Sequence, residues 1–261
     1  MSKELTKKAE TALIDIMGDD AGIGLENVDK DSVAIPFLRV IQKNSPQVDE
    51  ADAGFIEGAK AGQFIESVNS ELFDGKKGIT IIPCAFQRRF LRWGPRGEGG
   101  FKGEMLPEQA AQLQADGKCD YVDGRLYVKG PDGEINIKRD DRLVDTRMHF
   151  CLLETSGGPV RVLLALSSTQ IKKSKQLLAM LSSVKIGCKT PPTFLNRVTV
   201  TTTPESNDQG SWHGVKFELD GFLEDKVTYD FAKQFHGEVS SGEAEYNAAD
   251  TEPTPEATDQ F

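Results

Sequence analysis

Apolar and polar positions along the chain fall mostly into short alternating runs closed by turn residues. Thr146–Thr155 and Pro159–Leu166, joined by Ser156-Gly157-Gly158, predict a β-hairpin. Thr193–Thr203 and Gly214–Asp220 predict another around a polar loop. Gly78–Ala85 reads as a strand entering a core, turned in by Asp74-Gly75, and Gln63–Val68 with Glu71–Phe73 flanks Asn69-Ser70 as a shorter hairpin. Ser32–Gln42 suits a strand or a short helix beginning at Pro36; its periodicity does not choose. Arg125–Lys129 and Glu134–Lys138 predict a hairpin across Gly130-Pro131-Asp132-Gly133. Helical spacing is found over 4–17, over Pro107–Ala115 with proline at a favoured first position, and from about Thr169, capped by Ser167 or Ser168. In that last helix Ile171, Leu177, Leu178, Leu181 and Val184 share a face, with Lys172, Lys175 and Gln176 turned away.

Strands outnumber helices and come as hairpins, so the fold class is mainly β, a β-rich α+β arrangement. Short antiparallel strands curled around one core with a helix at one end make an oligonucleotide-binding-fold-like barrel; a β-sandwich is the alternative. The organisation expected is an N-terminal helix and flexible arm over 1–31, one β-rich domain over 32–237, and a disordered acidic tail over 238–261. An insertion is expected at about 103–145, where ten acids and six bases argue against contact with a polyanion.

Charge changes this picture. The net charge of −10 disfavours nucleic acid only if it is spread evenly, and it is not. Seven acids and no Lys or Arg lie in 238–261, leaving −3 for the rest, while the fifty residues from Thr155 to Pro204 hold seven cations and no acid. Such segregation predicts a surface of one sign that attracts polyanions. With no apolar run of membrane-spanning length and no signal-peptide core, a cytoplasmic protein is expected.

Phe86–Lys102 then draws attention. It interleaves Phe86, Phe90, Trp93 and Phe101 with Arg88, Arg89, Arg92, Arg96 and Lys102, against one acid, Glu98. Rings offer faces to bases and guanidinium groups offer forks to phosphates, the combination a single strand of nucleic acid requires. Gly94–Gly100 is too rich in glycine for a strand and reads as a mobile loop. An edge strand alternating buried Phe with exposed Arg is the structural alternative. Candidate stacking residues are Phe86, Phe90 and above all Trp93; candidate phosphate contacts are the five cations with Lys172, Lys173 and Lys175, and less strongly Lys189 and Arg197.

Reactive chemistry is sparse. Cys84, Cys119, Cys151 and Cys188 stand singly, and no two of His149, His213 and His236 have metal-ligand spacing. Asp132, Glu134 and Lys138 only vaguely match a nuclease arrangement, and Asp140, Asp141 and Asp145 are flanked by Arg139 and Arg142. Neither catalysis nor a metal or other cofactor is indicated.

The chain finishes Glu252-Pro-Thr-Pro-Glu-Ala-Thr-Asp-Gln-Phe261. An acidic segment ending on one large aromatic resembles the tails of bacterial and bacteriophage single-stranded DNA-binding proteins, which join an oligonucleotide-binding core to such a tail; Gln260 stands where bacterial members carry Pro. The resemblance implies non-catalytic, sequence-independent binding of single-stranded DNA in phage replication or recombination, in the cytoplasm of an infected bacterium. It implies a tail, through Glu252, Glu256, Asp259 and Phe261, that competes for the DNA cleft and docks replication proteins such as a polymerase, helicase-primase or nuclease. A homo-oligomer is compatible with this reading. Two other classes stay open: a structural or protein-interaction module of the virion or its assembly, and a metal-dependent nuclease using the acidic insertion.

Overall fold

The computed structural model describes residues 34–95, 100–208, 210–244 and 246–251, with single positions between 13 and 24. Two units are distinguished, Met1–Ala34 and Ile35–Phe261. Of the helix expected over 4–17, Leu13 and Ile16 are described, both helical and exposed. The rest of that helix, most of the arm and the tip of the glycine-rich loop at 96–99 lie outside the described residues.

The second unit is mainly antiparallel β, as expected. Its longest strand, β4 (Ile79–Trp93), pairs with β8 (Arg142–Thr155) from Ile81 opposite Leu153 to Trp93 opposite Arg142. The register shifts between Pro83 and Ala85, a bulge that admits a proline with no N–H to give the ladder. β8 turns tightly into β9 (Gly158–Ser167), and β10 (Asn196–Asn207) with β11 (Gly210–Phe222) lies on the other edge of β4. The predicted loop of this last hairpin is mostly strand, because the pairing runs on to Asn207 opposite Gly210.

A smaller sheet of β1 (Leu38–Val40), β2 (Phe64–Glu66) and β3 (Leu72–Phe73) settles the segment expected as strand or helix in favour of strand over its described part, 34–42. Phe37 makes a parallel bridge to Leu163 of β9. On the other side the Gln42 carboxamide exchanges two hydrogen bonds with the His213 backbone, at 2.8 and 3.0 Å. The Thr202 amide donates to the Gly75 carbonyl and its hydroxyl to the Gly62 carbonyl. Both ladders stay open, yet they curl over one apolar cluster that includes Leu38, Phe64, Ile81, Leu153, Val162 and Val198. Leu177 and Leu181 of helix α2 (Ile171–Ser183) pack into that cluster; the helix begins after a 3-10 turn, Ser168–Gln170, without a hydroxyl cap from Ser167 or Ser168.

The opposite face of β4 and β8 carries Ile82, Cys84, Leu91, Phe150 and Leu152 against Ala232, Phe235 and Val239 of helix α3 (Lys226–Ser241). Asp225 caps α3 by accepting from the amides of Val227 and Thr228, and Gly242, at φ +77°, closes it. The tail boundary at 238 therefore moves: Glu238 pairs with Arg161 at 3.0 Å, Tyr246 packs edge-on against Phe150, and Ala248 is buried. The Phe231, Phe235, Val239 spacing that makes this stretch a helix crosses that boundary, through Gly237 and up to Ser241. Glu252, Glu256, Asp259 and Phe261 lie outside the described residues.

The insertion has its own core. Helix α1 (Pro107–Ala115) presses Ala110 onto Phe90, Leu126 and Leu143, beside β5 (Phe101–Met105). The hairpin expected across Gly130–Gly133 is replaced by β6 (Cys119–Val122) with β7 (Arg125–Val128), turned by Asp123 and Gly124, both at positive φ. A two-residue turn of that type matches strand twist and so wins over the longer one. Asp132 and Asp140 instead brace turns through Arg139. Among the described residues no helix is long and apolar enough to cross a membrane.

Candidate nucleic-acid interface

Strand alternation sorts the Phe86–Lys102 stretch onto two faces. Phe86, Arg88, Phe90 and Arg92 point to the α2 side, and Gln87, Arg89, Leu91 and Trp93 to the α3 side. The Phe86 ring lies 5.1 Å from that of His149, and His149 Nε2 is hydrogen-bonded to the Ser174 hydroxyl of α2 at 2.8 Å. On the other side Gln87 donates to the Val239 carbonyl of α3.

Of the three candidate stacking residues one is buried and one is partly covered. Phe90 is 7% exposed in the α1 core. Trp93 packs edge-on to Phe101 on the α3 side, with its indole N–H buried and without an acceptor among the described residues. Phe86 remains, 37% exposed.

The cations are not a free phosphate track either. Arg88 forks onto Asp145 at 2.7 and 2.9 Å, and Arg147 shares the same carboxylate. Arg92 and Lys102 share Asp141 at 2.6 and 2.5 Å. Burial by itself would raise the Asp141 carboxyl, but the hydrogen bonds from Lys102 and Arg92 outweigh it and hold its pKa below the ordinary value. Each carboxylate thus serves two cations, leaving one positive charge over per cluster. Arg89 sits behind the sheet beside Glu104, which also accepts from the Tyr246 hydroxyl. Arg96 lies outside the described residues. We expect Asp145→Asn to raise affinity for single-stranded DNA about fivefold, by releasing two guanidinium groups, while lowering the melting temperature. Equal or weaker binding would remove this cluster from the interface.

The acid-free stretch imports acids from elsewhere. Arg161 pairs with Glu238, Arg197 with Glu154, and Lys173 with Glu205 at 2.7 Å. Lys172, Lys175, Lys185 and Lys189 are exposed, and no acid among the described residues pairs with them. They run along α2 and the turn after it.

One ring escaped the sequence reading. Trp212 of β11 lines a cleft of about 600 Å³ with Lys172, Asn207 and Glu205, and its indole N–H donates to Glu205 at 3.1 Å. At the next residue, burial first and then the charges of Lys43 and Lys76 hold the His213 imidazole below its ordinary pKa. The available signal was a tryptophan in a polar segment, Asn207–His213, taken for a loop. Helix α2 therefore touches Phe86's neighbour through Ser174 and shares a cleft with Trp212 through Lys172. Among the described residues no group of His, Cys, Asp and Glu is placed to hold a metal ion.

A family model described as "Pam3 phage gp34-like protein" matches residues 6–245. No curated protein and no solved structure matches.

Proposed function

We propose that this chain, which belongs to the Pam3 phage gp34-like family, binds single-stranded DNA without sequence preference and without catalysis, in phage replication or recombination inside the infected host cell. The observation that carries the reading is the α2 edge. Lys172 and Lys175, exposed and free of acidic partners among the described residues, stand on it, Lys185 and Lys189 follow in the turn after it, and its first turn meets an exposed cleft with Trp212. The core is then of the oligonucleotide-binding kind, with the strand passing from Phe86 and the Arg88–Arg147 cluster, over Lys175 and Lys172, to Trp212. Phosphates meet lysines and bases meet rings.

The acidic tail fits as a competitor. Thr251 lines a second cleft beside Trp212, so the ten residues after it start at that rim and reach up to about 35 Å when extended. Tethered carboxylates at Glu252, Glu256 and Asp259 compete with weak ligands and yield to a long strand, freeing Phe261 for a replication protein.

A titration with oligo-dT, followed by tryptophan fluorescence, tests this. Quenching is expected in the wild type and in Trp93→Phe, and is expected to vanish in Trp212→Phe. A chain ending at Thr251 is expected to bind more tightly than the full chain. Absence of binding in both would favour the interaction module, and magnesium-dependent degradation of the strand would favour a nuclease.

A further inference from the structure

β1 and β9 run parallel at the Phe37–Leu163 bridge, and no pair follows it. Beyond that point the two strands part, and the second cleft, about 620 Å³, fills the gap. Its volume lies within the roughly 300–1,000 Å³ typical of small-molecule sites. Leu38, Val40 and Ile65 line one wall, Leu164 and Leu166 the other. Arg39, Lys43, Trp212 and His213 line it as well.

The walls are not purely apolar. The Leu163 amide donates away from β8, to the Pro36 carbonyl at 2.8 Å. The β8–β9 register is unbroken from Thr155 opposite Gly158 to Thr146 opposite Ser167, so the amides of Ala165 and Ser167 point the same way, into the cleft. No strand pairs with this edge of β9 beyond the Phe37–Leu163 bridge, so no ladder takes up either amide. The lining holds one carboxylate, Asp52, and that is occupied in capping the Gly54 amide at 2.8 Å.

We infer that this cleft takes one unstacked base of the bound strand. The inference rests on the reading that the chain binds single-stranded DNA, and deepens it. Apolar walls suit the two faces of a base, the β9 edge supplies donors to its carbonyl or ring nitrogen, and the exposed Lys43 suits a phosphate beside it. Trp212, in the same lining, stacks the neighbouring base. A protein partner is disfavoured: the gap narrows to a bonded bridge at Phe37, leaving no room to continue a guest strand between β1 and β9.

The test uses the full chain with two ligands, oligo-dT and an abasic strand of the same length, and with oligo-dT carrying a single 2-aminopurine. Wild type is expected to brighten 2-aminopurine, as it leaves the stack for the aliphatic walls of Leu38, Val40, Leu164 and Leu166 while Trp212 takes the neighbouring base. Val40→Phe, which fills the cleft, is expected to lower the preference for the intact over the abasic strand about tenfold and to abolish the brightening. Thr169→Tyr, at an exposed residue of the lining, is expected to act in the same direction without disturbing the core. Quenching of 2-aminopurine in the wild type, or an unchanged preference in both variants, would overturn the base pocket while leaving DNA binding intact. No binding of either strand by the wild type would overturn the functional reading itself, and the pocket with it.

Discussion

Lys172→Glu combined with Lys175→Glu is expected to weaken oligo-dT binding roughly a hundredfold at physiological salt and to flatten the salt dependence. Each reversal removes one phosphate attraction and adds a repulsion. Loss of two contacts alone lowers the slope of log affinity against log salt by about 1.4 for a single strand. Both side chains are exposed and neither is paired with an acid among the described residues, so stability should move by no more than about 0.5 kcal/mol. Lys233→Glu, exposed on α3 across the sheet, is the control and should change little. If Lys233→Glu weakens binding as much per charge, the effect belongs to net charge and the α2 edge is not the site.

Acid is expected to destabilise the fold well above the ordinary carboxylate range. His149 is buried between Phe86 and Ser174, and burial first, then the charge of Arg147, lowers its pKa to about 4. In the unfolded chain the same ring titrates near 6.5. Between those values the unfolded state holds the extra proton, so stability falls as pH drops from about 6.5 to about 4 and levels off below. A gap of that size corresponds to roughly 3 kcal/mol at most. His213, also held down, adds to the same slope, whereas Asp141, with a depressed carboxyl, loses its contribution only at lower pH. Urea melts across that window should show the decline, and His149→Gln should remove most of it. An identical slope in the variant would mean that the loss comes from elsewhere.

These outcomes bear on how far the sequence could be read. The long hairpins were legible because their alternation is local, and α1 matched its predicted bounds because a proline opens it. What was not legible depended on partners far along the chain. The carboxylate that occupies Arg88 comes from Asp145, 57 residues on, and only the β4–β8 register brings them together. The same register sends Trp93 to the α3 side, so an exposed ring cannot be told from a packed one until the covering helix is known. Trp212 was overlooked for the opposite reason: a polar neighbourhood suggested a loop where the strands in fact continue. The tail boundary failed because the apolar spacing of α3 runs past it to Val239, through Gly237 and up to the Ser-Ser-Gly that closes the helix. Segregated charge was real in the sequence, but three of the seven cations draw in acids from outside their own stretch.

The junction of the two sheets has a consequence for any attempt to vary this chain. A β-carbon on Gly75 would overlap the Gly62 carbonyl oxygen and the Thr202 hydroxyl, and one on Gly62, at φ +89°, would run into the His213 ring. Main chain rests on main chain there, with no methyl's width to spare. In a randomised gene library selected only for folded protein, those two codons should come back as glycine, whatever ligand the molecule proves to carry.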